Sequence, residues 1–103
     1  MTTLRLLKKQ QQPIGFQCEG HSGYAEEGED IVCAAISSMT QFCIMCAEEF
    51  DLPIRYCKDE AWLECSVETP DPIFSGLLNT LEKSISQLQE DYPEYICLEI
   101  MEV

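Results

Sequence analysis

Two side chains in the N-terminal third could share covalent chemistry. His21 is the chain's single histidine, and Cys33 follows it at the start of an apolar run that opens at Ile31. Glycines stand at 20, 23 and 28 around them. A glycine-rich loop leading into a helix, with one imidazole and one thiol, is the arrangement of a cysteine nucleophile. This reading sets Cys33 in the first turn of a helix running from 31 to about 50. There the unpaired backbone N–H groups and the positive dipole end favour a thiolate. His21 would then act as general base and general acid.

The neighbours could serve that pair or be structural. Asp30 reads as the helix N-cap, accepting from the N–H of Val32 or Cys33. It could also orient His21 as the third member of a triad, and the sequence leaves both open. Ser37 falls one turn after Cys33 on the same helix face, as a site-lining hydroxyl or a helix serine bonded to the preceding turn. Gly20, Gly23 and Gly28 are turn residues or a hinge that lets the loop close over a peptide. Tyr24 is a lid or an exposed loop residue, and Glu26, Glu27, Glu29 and Asp30 form a solvated loop or an attraction for a basic substrate.

The bland readings are a loop histidine and a small buried cysteine. The constellation as a whole favours catalysis. Cys43-x-x-Cys46 invites a redox or metal reading, and Cys18-x-x-His21 with that pair could supply four zinc ligands. The pair sits mid-helix in an apolar stripe without a loop knuckle, so core packing is the reading, with no metal and no cofactor.

The elements that must position these groups follow from periodicity. Residues 2–8 read as a strand, 10–13 as a polar turn, and 14–19 as a second strand with Ile14, Phe16 and Cys18 on one side. Val32, Ala35, Ile36, Met39, Phe42, Cys43, Cys46 and Phe50 recur at helical spacing, with further apolar residues almost all round. Such a helix is expected to be covered on most sides. Pro53 marks its stop. Residues 54–58 and 62–67 form a hairpin around Asp59-Glu60, with Ile54 and Tyr56 facing the core. Asp71-Pro72 starts a second helix, striped by Phe74, Leu77, Leu78, Leu81, Ile85 and Leu88, that ends at Tyr92-Pro93. Residues 95–102 are a last strand. The order ββαββαβ predicts an α+β fold with two helices packed on a mixed or antiparallel sheet.

A chain of 103 residues is one domain, 1–103, with one modest core. The net charge of −13 argues against nucleic acid as a direct partner and favours a basic protein or peptide. Lys8-Lys9 leads into glutamines, which is no signal peptide, and the apolar stretch 31–47 is short and interrupted for a membrane span. Seven cysteines without an export signal point to a reducing cytoplasm.

Gly20-His21 with Gly23-Tyr24, then Gly28-x-Asp30-Ile31-Val32-Cys33-Ala34-Ala35-x-Ser37, resembles the signature of the ribosomal-processing cysteine protease family, Prp. The motif covers about a sixth of the chain, and the element order fits the family over nearly all of it. The resemblance implies a cytoplasmic, homodimeric cysteine endopeptidase. Its substrate would be the short N-terminal extension of a bacterial large-subunit ribosomal protein, cut after paired bulky aromatic residues. His21 and Cys33 would be catalytic, with Ser37 lining the site. The rival reading is a non-enzymatic acidic module that holds a basic ribosomal protein through the same loop.

Overall fold

Alternating apolar side chains build one face of a five-stranded sheet. The structure, a computed structural model, describes residues 1–20 and 27–103, with the backbone alone for 27–30. β1 (Thr2–Lys9) and β2 (Gln12–Glu19) form the first hairpin, and β3 (Arg55–Asp59) and β4 (Trp62–Ser66) the second. β5 (Ile96–Glu102) closes the chain. The order across the sheet is β3-β4-β2-β1-β5, with β1 and β5 parallel and the other neighbours antiparallel. The sheet is therefore mixed, and the α+β order ββαββαβ is the expected one.

Register decides which side is apolar. Leu4 lies beside Cys18 and Leu98, Leu6 beside Phe16, and Phe16 beside Cys65. Paired residues share a face, and these pack in a single core with the helices α1 (Glu27–Glu49) and α2 (Pro72–Asp91). From α1 come Val32, Ile36, Cys43, Ile44 and Ala47, and from α2 Phe74, Leu78, Leu81 and Ile85. The opposite side of the sheet is polar. Arg5 bridges Glu19 at 3.2 Å and Glu99 at 3.0 Å across three strands.

The chain's punctuation explains most boundaries. Gln10 and Gln11 turn the first hairpin at φ 53° and 70°, the left-handed pair that matches strand twist. Asp71 caps α2, its carboxylate accepting from Ile73 N–H at 2.9 Å and Phe74 N–H at 3.1 Å. α1 ends in a Schellman motif before Pro53 is reached. Leu52 N–H donates to Ala47 O, Asp51 N–H to Glu48 O, and Asp51 takes φ 53°.

Three expectations are corrected. α1 begins at Glu27, four residues before Ile31. Asp30 is therefore inside the helix and is not its N-cap, and Gly28 lies in the first turn of α1, not in a loop. Acidic residues are favoured near the positive end of a helix, and Glu27, Glu29 and Asp30 outweigh the low propensity of one glycine. Second, α1 is covered on one side only: Phe42 and Met45 are 59–60% exposed. Ile31–Glu49 is long and apolar enough to cross a membrane, a test that a core helix also passes. Third, Tyr56 is exposed and not in the core, because β3 is the edge strand of the sheet and has a neighbour on one side only.

Candidate active site

Cys33 is half-buried on the first half of α1 and opens into a cavity of about 150 Å³. One wall is a single face of α1: Cys33, Ser37 and Gln41 follow one another at helical spacing. Thr40 closes that wall from inside, its hydroxyl spent on the carbonyls of Ile36 at 2.9 Å and Ser37 at 3.1 Å. The floor is Cys18 of β2 and Leu63 of β4, which pair across the sheet. The tip of the second hairpin, from Lys58 to Trp62, forms the rim. Thr2, at the start of β1, completes the lining.

Gly20 is the pivot of this arrangement. It follows the last residue of β2, and its N–H donates to Ala61 O at 3.1 Å, which ties it to the hairpin tip. A Cβ built on Gly20 would stand 3.5 Å from Cys33 Sγ. That is ordinary contact, so the fold does not demand glycine here. The chain segment that enters position 21 thus departs from beside the thiol.

Four other cysteines sit where the environment favours the thiol. Burial, with a smaller contribution from Cys33, pushes the Cys18 thiol up to about 11. Burial likewise raises Cys43 to about 11 and Cys65 to about 12. At neutral pH these three are thiols and weak nucleophiles. Cys43 belongs to the core, whereas Cys46 is half-buried and outside it. Cys97 is raised by burial and by its contact with Glu99 on the polar side of the sheet, away from the cavity.

Of the residues singled out in the sequence, Gly20, Cys33 and Ser37 meet at one cavity. His21, Gly23 and Tyr24 lie outside the described residues, as do the side chains of Gly28's neighbours Glu27, Glu29 and Asp30. Cys33 sits in the second turn of α1, not the first, so its own N–H is bonded within the helix and is not available to a substrate. Sequence reasoning missed Thr2, Gln41 and the hairpin tip, and it named Cys18 only as a strand residue and zinc candidate, not as part of this cavity. Helical periodicity from Cys33 reaches Gln41 two turns on. No periodicity links Thr2 or Trp62 to Cys33, because strand pairing brings them there.

This small α+β domain sets a half-buried cysteine in a cavity beside the end of its sheet. Residues 1–97 match the family model described as Cysteine protease Prp, and the chain belongs to that family of cysteine proteases. No curated protein matches the chain. Among solved structures it is similar to SMU.848 from Streptococcus mutans, at 23% identity and a TM-score of 0.89 over 100% of this chain and 96% of that one. It is also similar to the essential ribosomal processing protease Prp of S. aureus, solved with a substrate peptide, at 23% identity and a TM-score of 0.85 over 97% and 99%. The same S. aureus protease with a covalently linked product peptide gives a TM-score of 0.78, again at 23% identity over 97% and 99%.

Proposed function

We propose that the chain is an endopeptidase in which Cys33 attacks the peptide carbonyl, His21 carries the thiol proton to the leaving amine, and water releases the acyl-enzyme. The observation that carries this reading is the 3.5 Å approach of Cys33 Sγ to the Cβ position of Gly20, the residue before His21. Ser37 lines the same cavity one turn along α1. Asp30, no longer a cap, keeps only the triad role as its candidate function. Gly20 is the fixed end of the segment that holds Gly23, and Gly28 belongs to the helix at its other end.

The substrate is the N-terminal extension of a large-subunit ribosomal protein. The S. aureus relative is a ribosomal processing protease seen with its substrate peptide, and the net charge of −13 here suits a basic partner. The cavity rim adds Asp59 and Glu60 near the thiol. A cytoplasmic setting agrees with seven cysteines of which none is bridged. A homodimer agrees with the uncovered side of α1, where Phe42 stands 60% exposed beside a groove of about 430 Å³ against α2.

The test is incubation with a synthetic peptide spanning that extension, read by mass spectrometry. Wild type cuts at one bond. Cys33→Ala and His21→Ala leave the peptide intact, and Cys33→Ser fails too, since a hydroxyl is a poor nucleophile without a strong base. Peptide that binds but stays whole with wild type would favour the non-enzymatic acidic module. Cleavage by Cys33→Ala near the wild-type rate would remove Cys33 as nucleophile.

A further inference from the structure

The cavity at Cys33 continues along α1. Cys33, Ser37 and Gln41 stand four residues apart on one row of the helix, and the next residue of that row is Met45. Between this row and β3 lies a second cavity of about 170 Å³, lined by Gln41, Ile44, Met45, Tyr56, Lys58 and Leu63. Gln41, Lys58 and Leu63 line the Cys33 cavity too, so the two are chambers of one cleft. Strand register keeps them in line. Tyr56 and Lys58 are two residues apart in β3 and share a face, and Lys58 lies beside Leu63 of β4.

The second chamber is open, and its walls are apolar. Met45 comes from α1 and Tyr56 from β3, and they are 59% and 55% exposed. Beneath them Ile44 and Leu63 belong to the buried core. An apolar side chain placed there removes both walls from water without moving the core, and that gain grows with the area covered. Pockets of this make-up, apolar with one or two polar groups at the edge, are the usual form of a side-chain binding site. Gln41 and Lys58 are those polar groups, and they stand where the chambers join.

The separation from the thiol sets the register. Gln41 and Met45 follow Cys33 by two and three turns of one row, which is about 12–18 Å along the axis at 1.5 Å per residue. A peptide laid extended in the cleft advances about 3.3 Å per residue. Its fourth or fifth residue from the reacting carbonyl therefore reaches the second chamber. We propose that this chamber, walled by Met45 and Tyr56, is a specificity subsite that takes a large apolar side chain of the substrate four or five residues from the bond cut by Cys33. The proposal rests on the protease reading and names which part of the peptide is read at a distance from the chemistry.

The test uses the peptide spanning the ribosomal-protein extension, with leucine or alanine placed in turn at each of six positions on either side of the bond. Wild type prefers leucine over alanine by about 10–50-fold in kcat/KM at a position four or five residues from the bond. Met45→Asp and Tyr56→Asp, from opposite walls, each cut that preference to within threefold at the same position and leave the preferences elsewhere unchanged. Both residues are more than half exposed, so Tm holds. Ile73→Asp is the control, since Ile73 is exposed on α2 and lines neither chamber, and its preferences match wild type. Should either aspartate variant melt below the assay temperature, Met45→Gln and Tyr56→Gln replace the pair, with the same loss of preference expected. If wild type shows no leucine preference at those positions, or the wall variants slow every peptide alike, the subsite is overturned while the protease reading stands. A preference altered only at the residues flanking the cut bond overturns it as well. Failure of wild type to cut any peptide overturns the protease reading and the subsite with it.

Discussion

Gly15→Ala tests the geometry that holds the cavity floor. Gly15 sits in β2 opposite Ser66 of β4 and three residues before Cys18. A Cβ there would lie 2.4 Å from Cys65 O, 2.6 Å from Ser66 Cβ and 2.8 Å from Ser66 Cα. Ordinary contact begins at 3.4 Å, so the first of these falls short by 1.0 Å. Two of the three obstructing atoms are backbone, and rotamer changes cannot clear them. The two strands must part, which strains the ladder between β2 and β4. Overpacking of this kind costs about 1–3 kcal/mol, and each weakened ladder bond adds about 1 kcal/mol. Alanine gives back roughly 0.4–1 kcal/mol by restricting the unfolded chain. The net loss is about 3 kcal/mol, a large part of the roughly 5–15 kcal/mol available to a domain. Urea unfolding in reductant, followed by the fluorescence of the single tryptophan, Trp62, reads this directly. At an m-value near 1–1.5 kcal/mol/M, the midpoint should drop by about 2–3 M. Gly76→Ala is the control: nothing lies within 4 Å of its Cβ position in α2, and the change should stabilise by about 0.5–1 kcal/mol. A Gly15→Ala midpoint within about 0.3 M of wild type would show that β2 and β4 do not pack as argued.

Three further outcomes follow from local structure. Asp71→Ala removes the carboxylate that accepts from Ile73 and Phe74 N–H, and should destabilise by about 1 kcal/mol, while Asp71→Asn should lose less; thermal melts compare them. Cys18, Cys43 and Cys65 have folded thiols raised above the ordinary value of 9, to about 11, 11 and 12, so the folded state holds their protons more tightly than the unfolded state does. Their contribution is whole below pH 9 and is lost as pH rises through about 11 to 12, so urea midpoints should fall across that window, and less so in Cys43→Ala measured against its own neutral value. At neutral pH, iodoacetamide should label these three only on unfolding, and peptide mapping that found Cys65 labelled early in native protein would contradict its burial.

The local signals fixed more of this fold than the long-range ones. Asp71-Pro72 announced α2 to the residue, since a cap and a fixed φ act within one turn. Alternation placed Leu4, Leu6, Phe16 and Cys18 on one face before any partner strand was known. The glycines, His21 and Cys33 named a chemistry, and Ser37 joined Cys33 through helical spacing alone. The start of α1 escaped, because Asp30 fits both a cap and a first-turn acid, and a choice between them depends on residues upstream. The apolar run of α1 could not say which side would be buried. That was settled by where α2 and the sheet lie, and Phe42 and Met45 were left outside. The sequence left mixed and antiparallel pairing both open, and the choice was tertiary: β1 takes β5 as a parallel neighbour across more than eighty residues of chain. The site's remaining walls have the same origin. Thr2 and Trp62 reach Cys33 only because β1 and β4 flank β2, and hydrogen-bond register between strands, unlike helical period, is a property of no single segment.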